Sequence, residues 1–191
     1  MTETFDLVRV QRLLARTPTT VRDLLTGLPP GAMQFREAPD SWTPLEILGH
    51  LADGEILDWI PRVEIILSAA EPKAFQPFDR EGGLNRYRGW TVEALLDEFA
   101  RLRSQNVATL AELRLTPAQL QAQGTHPELG RVTLEQLLAT WITHDLAHVA
   151  QISRVLVRYF GCHVGPWTAY FSLLRDRTAA AASAAAPEEA R

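Results

Sequence analysis

Between Thr133 and Phe160 the chain contains neither glycine nor proline, while apolar residues recur at helical spacing. Leu134, Leu137, Leu138, Trp141, Ile152, Val155 and Leu156 are its core candidates. Thr133-Leu-Glu-Gln136 opens the segment as a capping box, and Gly161 suits the residue just past its end. So long an unbroken periodic run reads as one buried helix. The rest of the chain must supply its neighbours.

Three other segments qualify. Residues 5–26 place Leu7, Val10, Leu14, Val21, Leu24 and Leu25 at helical spacing, with Thr17-Pro18 predicting a restart or kink and Gly27 and Pro29-Pro30 a stop. Thr43-Pro44-Leu45-Glu46 is a second capping box, flanked by Trp42 and Ile47 as a hydrophobic staple. Its helix extends to Leu67 and should bend at Pro61. A further helix spans Thr91 to Leu113. Thr116-Pro-Ala-Gln119 caps one short turn, and residues 126–132 read as a turn or small hairpin. Gly165-Pro-Trp167 begins a last short helix ending at Leu174. The expected fold is all-α: a four-helix bundle in one domain over residues 1–178, with 179–191 an Ala-rich, frayed tail. The connection 71–90 could cross the length of a bundle at up to about 3.3 Å per residue, allowing the second and third helices to lie parallel. It is also the expected cover of any site at a bundle end, reaching over with Arg86 and Tyr87.

Charge and composition narrow the partners. A net charge of −4 gives no reason to expect nucleic acid or an acidic membrane surface. No stretch approaches the ~20 apolar residues of a membrane span, and the N-terminus lacks a signal-peptide pattern. One cysteine, Cys162, excludes an intrachain disulfide and suits a reducing cytoplasm. Nothing in the sequence places a base beside it.

The long helix carries His144 and His148, four residues apart and therefore stacked on one face. Two such imidazoles can share a metal ion, or each can be an ordinary hydrogen-bonded core residue. A third, His50, sits in the other strongly apolar helix. Two unpaired imidazoles in a buried helix would be costly, which favours a metal. Asp53 and Asp145 stand near these histidines in sequence, as acceptors for their outer N–H groups would. Gly54, one turn after His50, marks either close helix packing or a gap beside the ion. Arg103 and Asn106 fall on or beside the inner face of the third helix, as boundary residues with a snorkelling Arg or as pocket lining together with Trp141. His126 and His163 lie in loops.

The stretches Trp42–Glu55 and His144–Ile152 resemble the second-helix and last-helix motifs of the DinB/YfiT-like family. Thr125–Thr133 and Gly165-Pro-Trp167 are also similar, so the resemblance covers about residues 17–175. It implies an up-down-down-up four-helix bundle, often a homodimer, holding a divalent metal on His50, His144 and His148. Zinc or nickel are the expected ions, with iron or manganese possible for imidazole ligands. Some members of that family are thiol-dependent transferases, and although no motif here selects one activity, the expectation is a metal-dependent thiol S-transferase that joins a low-molecular-weight thiol to a small electrophile. The alternatives are a metal-dependent hydrolase and a metal-binding bundle without catalysis that acts in a stress response.

Overall fold

The computed structural model describes residues 5–174, so the expected tail lies outside the described residues. Helix α1 spans Leu7–Leu25, and its N-cap Asp6 accepts from the Arg9 N–H. It is continuous, where a kink or restart was expected at Pro18. Pro18 has no N–H for the Leu14 carbonyl one turn back. Arg103 Nη1 donates to that carbonyl instead, at 2.9 Å, and the turn holds.

After a single turn, α2 (Pro30–Met33), the chain enters α3 (Pro44–Leu57) through the Thr43/Glu46 capping box. The expected bend is a full break at Asp58, followed by α4 (Trp59–Leu67). Pro61 explains it: the Leu57 carbonyl has no N–H to receive, and the proline sits in the first turn of α4, where no N–H is needed.

The 71–90 connection holds a short helix, α5 (Gly82–Arg86), seated on α3. Then come α6 (Val92–Glu112), the turn α7 (Pro117–Leu120), and strands β1 (Gln123–His126) and β2 (Gly130–Thr133). The strands pair antiparallel, with His126 opposite Gly130, so a small sheet accompanies the helices. Helix α8 (Leu134–Gly161) follows its capping box. Gly161 is the last helical residue, not the one after it: Cys162 caps in the right-handed region. A Cβ on Gly161 would lie 2.6 Å from Leu174 Cδ2, so the glycine seats the returning chain. That chain forms two 3-10 turns (Gly165–Tyr170 and Ser172–Leu174), where a short helix was expected. Among the described residues no helix is long and apolar enough to cross a membrane.

Helices α1 and α3 each pack on both α6 and α8. The core is in two parts. One gathers Val21, Leu51, Phe99 and Ile152; the other gathers Leu14, Trp59, Leu110 and Trp141. On each long helix a buried polar residue lies in sequence between the two parts: Thr17 on α1, Glu55 (with Asp53) on α3, Arg103 on α6 and Asp145 on α8.

Candidate metal centre

His50 projects from the middle of α3 and meets the α8 pair His144 and His148. His144 Nε2 lies 2.9 Å from His50 Nε2 and 3.1 Å from His148 Nε2. The three ligand atoms all fall within 4.8 Å of one another. Two nitrogens on one ion at about 2.0–2.1 Å are about 2.9–3.3 Å apart for right-angled to tetrahedral geometry, so the spacing suits a shared ion. Three neutral imidazoles pointing ring nitrogens at one another cannot all be satisfied by their own protons. A cation at their centre resolves that conflict.

Burial keeps the rings neutral. It is the main cause that lowers His50 to about 4, with the charges of His148 and Arg80 adding to it. Burial also lowers His144, reinforced by the other two histidines, and lowers His148 against the opposing hydrogen bond from Gln151. A neutral imidazole keeps a lone pair on one ring nitrogen, the form in which histidine binds a metal ion.

The outer ring nitrogens differ. His148 Nδ1 meets Gln151 Oε1 at 2.8 Å, whereas His50 Nδ1 and His144 Nδ1 are buried without a hydrogen bond among the described residues. Aromatic packing orients the rings instead. Trp42 lies against His50 and stacks on His148, with centroids at 4.8 and 6.2 Å. Phe78 meets His50 at 5.5 Å, and Trp59 meets His144 at 5.1 Å.

Neither expected acidic acceptor reaches an imidazole. Asp53 is fully buried and accepts from Arg86 Nε, which ties α5 to α3. Asp145 accepts from Arg103 and from Thr17 Oγ1, at 2.6 Å for the latter. Arg103 is 1% exposed, too deep for a snorkelling boundary residue. It also donates to Glu55 Oε1 at 2.8 Å, while Trp141 Nε1 donates to the same oxygen and Asn106 Nδ2 to Oε2. Burial pulls the guanidinium down, but Glu55 and Asp145 hold it above its ordinary range. Burial raises the Glu55 carboxyl more than Arg103 lowers it. Arg103, Asn106, Trp141 and Asp145 thus form a buried polar layer and do not line the cavity beside the histidines.

That cavity has a volume of about 550 Å³. The three histidines open onto it, and so does Gly54, where an added Cβ would meet only Trp59 Nε1, at 3.3 Å. The 71–90 connection does cover it, but through Phe75, Phe78 and Arg80. Arg86 is held by Asp53, and Tyr87 is buried in the first core cluster, so neither reaches over the site as expected. The β1–β2 hairpin supplies a second wall with His126 and Leu129. Asp58, Trp59 and Arg62 were not singled out as site residues in the sequence; their helical phase with Gly54 was the available signal.

A family match decides the identity. The model of the DinB superfamily fits residues 13–152. This chain belongs to the DinB superfamily. No curated protein matches it in sequence. Among solved structures it is similar to YfiT from Bacillus subtilis, described as a probable metal-dependent hydrolase with an unusual four-helix bundle topology. The two share 19% identity at a TM-score of 0.67, over 84% of this chain and 93% of that one. At that identity the likeness concerns the fold.

Proposed function

We propose that this DinB-superfamily chain is a divalent-metal-dependent enzyme that joins a low-molecular-weight thiol to a small electrophile. The convergence of three imidazole Nε2 atoms on a cavity wall carries the reading. His50, His144 and His148 are the ligands of an ion that leaves its full charge and at least one position open. Zinc or nickel suit this donor set, and iron or manganese also take imidazole. Such an ion supplies a Lewis acid that keeps a sulfur or oxygen nucleophile deprotonated at neutral pH. Trp42, Trp59 and Phe78 hold the rings and exclude water. In the transfer the S–H proton leaves to solvent, a C–S bond forms, and the leaving group departs with its electron pair.

The carboxylates favour sulfur over water. Of the acids on the cavity, Asp58 is paired with Arg62 and Glu128 is exposed on the hairpin; neither carboxylate is hydrogen-bonded to His50, His144 or His148 among the described residues. A thiol, with an ordinary pKa of about 8.5, needs no such base to become a nucleophile beside a cation. Hydrolysis is the second reading, supported by the description of YfiT. The helix order we infer is up-down-down-up. In its support, α1 and α8 meet the Leu14–Trp141 cluster first and the Val21–Ile152 cluster second, while α3–α4 and α6 meet them in reverse.

Protein purified without a metal column, then loaded with zinc or nickel, should consume cysteine or glutathione in the presence of 1-chloro-2,4-dinitrobenzene. His148→Ala should lose both metal and turnover. Turnover of p-nitrophenyl esters without thiol consumption selects the hydrolase. Full metal occupancy with neither activity leaves a binding protein, and unchanged metal content in His148→Ala sinks the site itself.

A further inference from the structure

Two guanidinium groups, Arg62 and Arg80, stand on the walls of the cavity with two carboxylates, Asp58 and Glu128. His50, Gly54, Asp58 and Arg62 recur every four residues and all line it, so a ridge runs from the histidines across the α3–α4 break. At its far end Arg62 is buried, with Nε on Asp58 Oδ1 and the guanidinium 5.1 Å above the Phe75 ring. Its Nη atoms make no hydrogen bond among the described residues. Arg80 enters from the facing wall, exposed and with no ion pair among the described residues. His126 adds a neutral donor: its Nδ1 accepts from the Glu128 and Leu129 N–H groups at 3.2 Å, which leaves the proton on Nε2.

Asp58 answers the charge of Arg62 through Nε alone and leaves its Nη donors for a ligand, while Arg80 brings a second guanidinium to the same cavity. Their planar forks match a carboxylate or a phosphate. We propose that the substrate carries such an anionic group, bound by Arg62 and Arg80, with an apolar or aromatic body against Trp59 and Phe75. Its reacting end then points along the Gly54 gap to the histidines. This assignment rests on the cavity being the substrate site of the metal centre.

The test is calorimetric titration of the full chain, metal-loaded and chelator-stripped, with 4-phenylbutyrate, its neutral amide, and phenyl phosphate. In wild type an anion should bind at least about tenfold more tightly than the amide, with or without metal, as a charged hydrogen-bonded pair gives. Phosphate above carboxylate, or the reverse, identifies the group. Arg80→Gln removes an exposed, unpaired side chain and should reduce the preference. Arg62→Gln combined with Asp58→Asn, which leaves no buried charge unpaired, should remove much of the remainder. Equal binding of acid and amide overturns the proposal, as does a preference untouched by both variants or present only with metal. If His148→Ala lacks metal yet keeps the preference, the anion site stands apart from the metal reading. If metal binds and the preference is absent, only the anion site fails.

Discussion

Replacing Arg103 by methionine removes one guanidinium and takes a donor from three acceptors. Glu55 keeps the Trp141 and Asn106 donors, Asp145 keeps only Thr17, and the Leu14 carbonyl keeps nothing. Breaking a buried ion pair from one side costs about 3–5 kcal/mol, and an orphaned buried carbonyl costs about 1–3 kcal/mol. Because the losses share one site and relax together, the expected total is about 4–5 kcal/mol. With a urea dependence of about 2 kcal/mol per molar, the unfolding midpoint followed by circular dichroism should fall by about 2 M. Pro18→Ala then isolates one component, since alanine restores the N–H that the Leu14 carbonyl lacks. In wild type the new bond, about 1 kcal/mol, is offset by the freer unfolded chain, about 0.4–1 kcal/mol, so the effect is near zero. In the Arg103→Met background the same change answers an unsatisfied carbonyl and should restore about 1 kcal/mol. A midpoint loss below about 0.5 M would refute the buried network. An equal effect of Pro18→Ala in both backgrounds would refute the link from Arg103 to α1.

Two further outcomes follow from packing and charge. Burial raises Asp58 to about 6, so between its unfolded value and that point the folded state binds the extra proton and stability falls as pH rises. The stability difference between Asp58→Asn and wild type should therefore grow, in favour of the variant, by roughly 3 kcal/mol from pH 3.5 to pH 7 in urea titrations; a flat difference would contradict it. An added Cβ at Gly83 would lie 2.8 Å from the Gly49 carbonyl oxygen and 3.0 Å from Asp53 Cβ, neither of which can swing aside. Gly83→Ala should push α5 off α3 and cost about 1–3 kcal/mol, read as a lower melting temperature; an unchanged melt would mean that α5 is not seated so closely.

The helices were legible because their ends are written locally. Thr43, Thr116 and Thr133 each face a Glu or Gln three residues on, and all three form capping boxes. The pairing of His50 with His144 and His148 was also readable, from spacing on two apolar helices. What escaped depends on residues distant in sequence. Pro18 is tolerated because Arg103 takes the carbonyl it leaves. A polar residue on an inner face looks the same in sequence whether it snorkels or anchors a buried layer. Trp42 read as a hydrophobic staple and Trp59 as core, yet both lie against the imidazoles. Asp53 and Asp145 sit close to the histidines along the chain, but the turn of the helix aims them at arginines.

The histidines of α3 and α8 stand 94 residues apart along the chain. An ion gripping both would be a cross-link as well as a reagent. Tying the unfolded chain into a loop of about 100 residues removes about 4–5 kcal/mol of its entropy by the arithmetic used for disulfides. That is comparable to the whole net stability of many domains, about 5–15 kcal/mol. Metal supply would then govern how long the protein survives. All three histidines would then have a reason to be kept that lies in the fold alone.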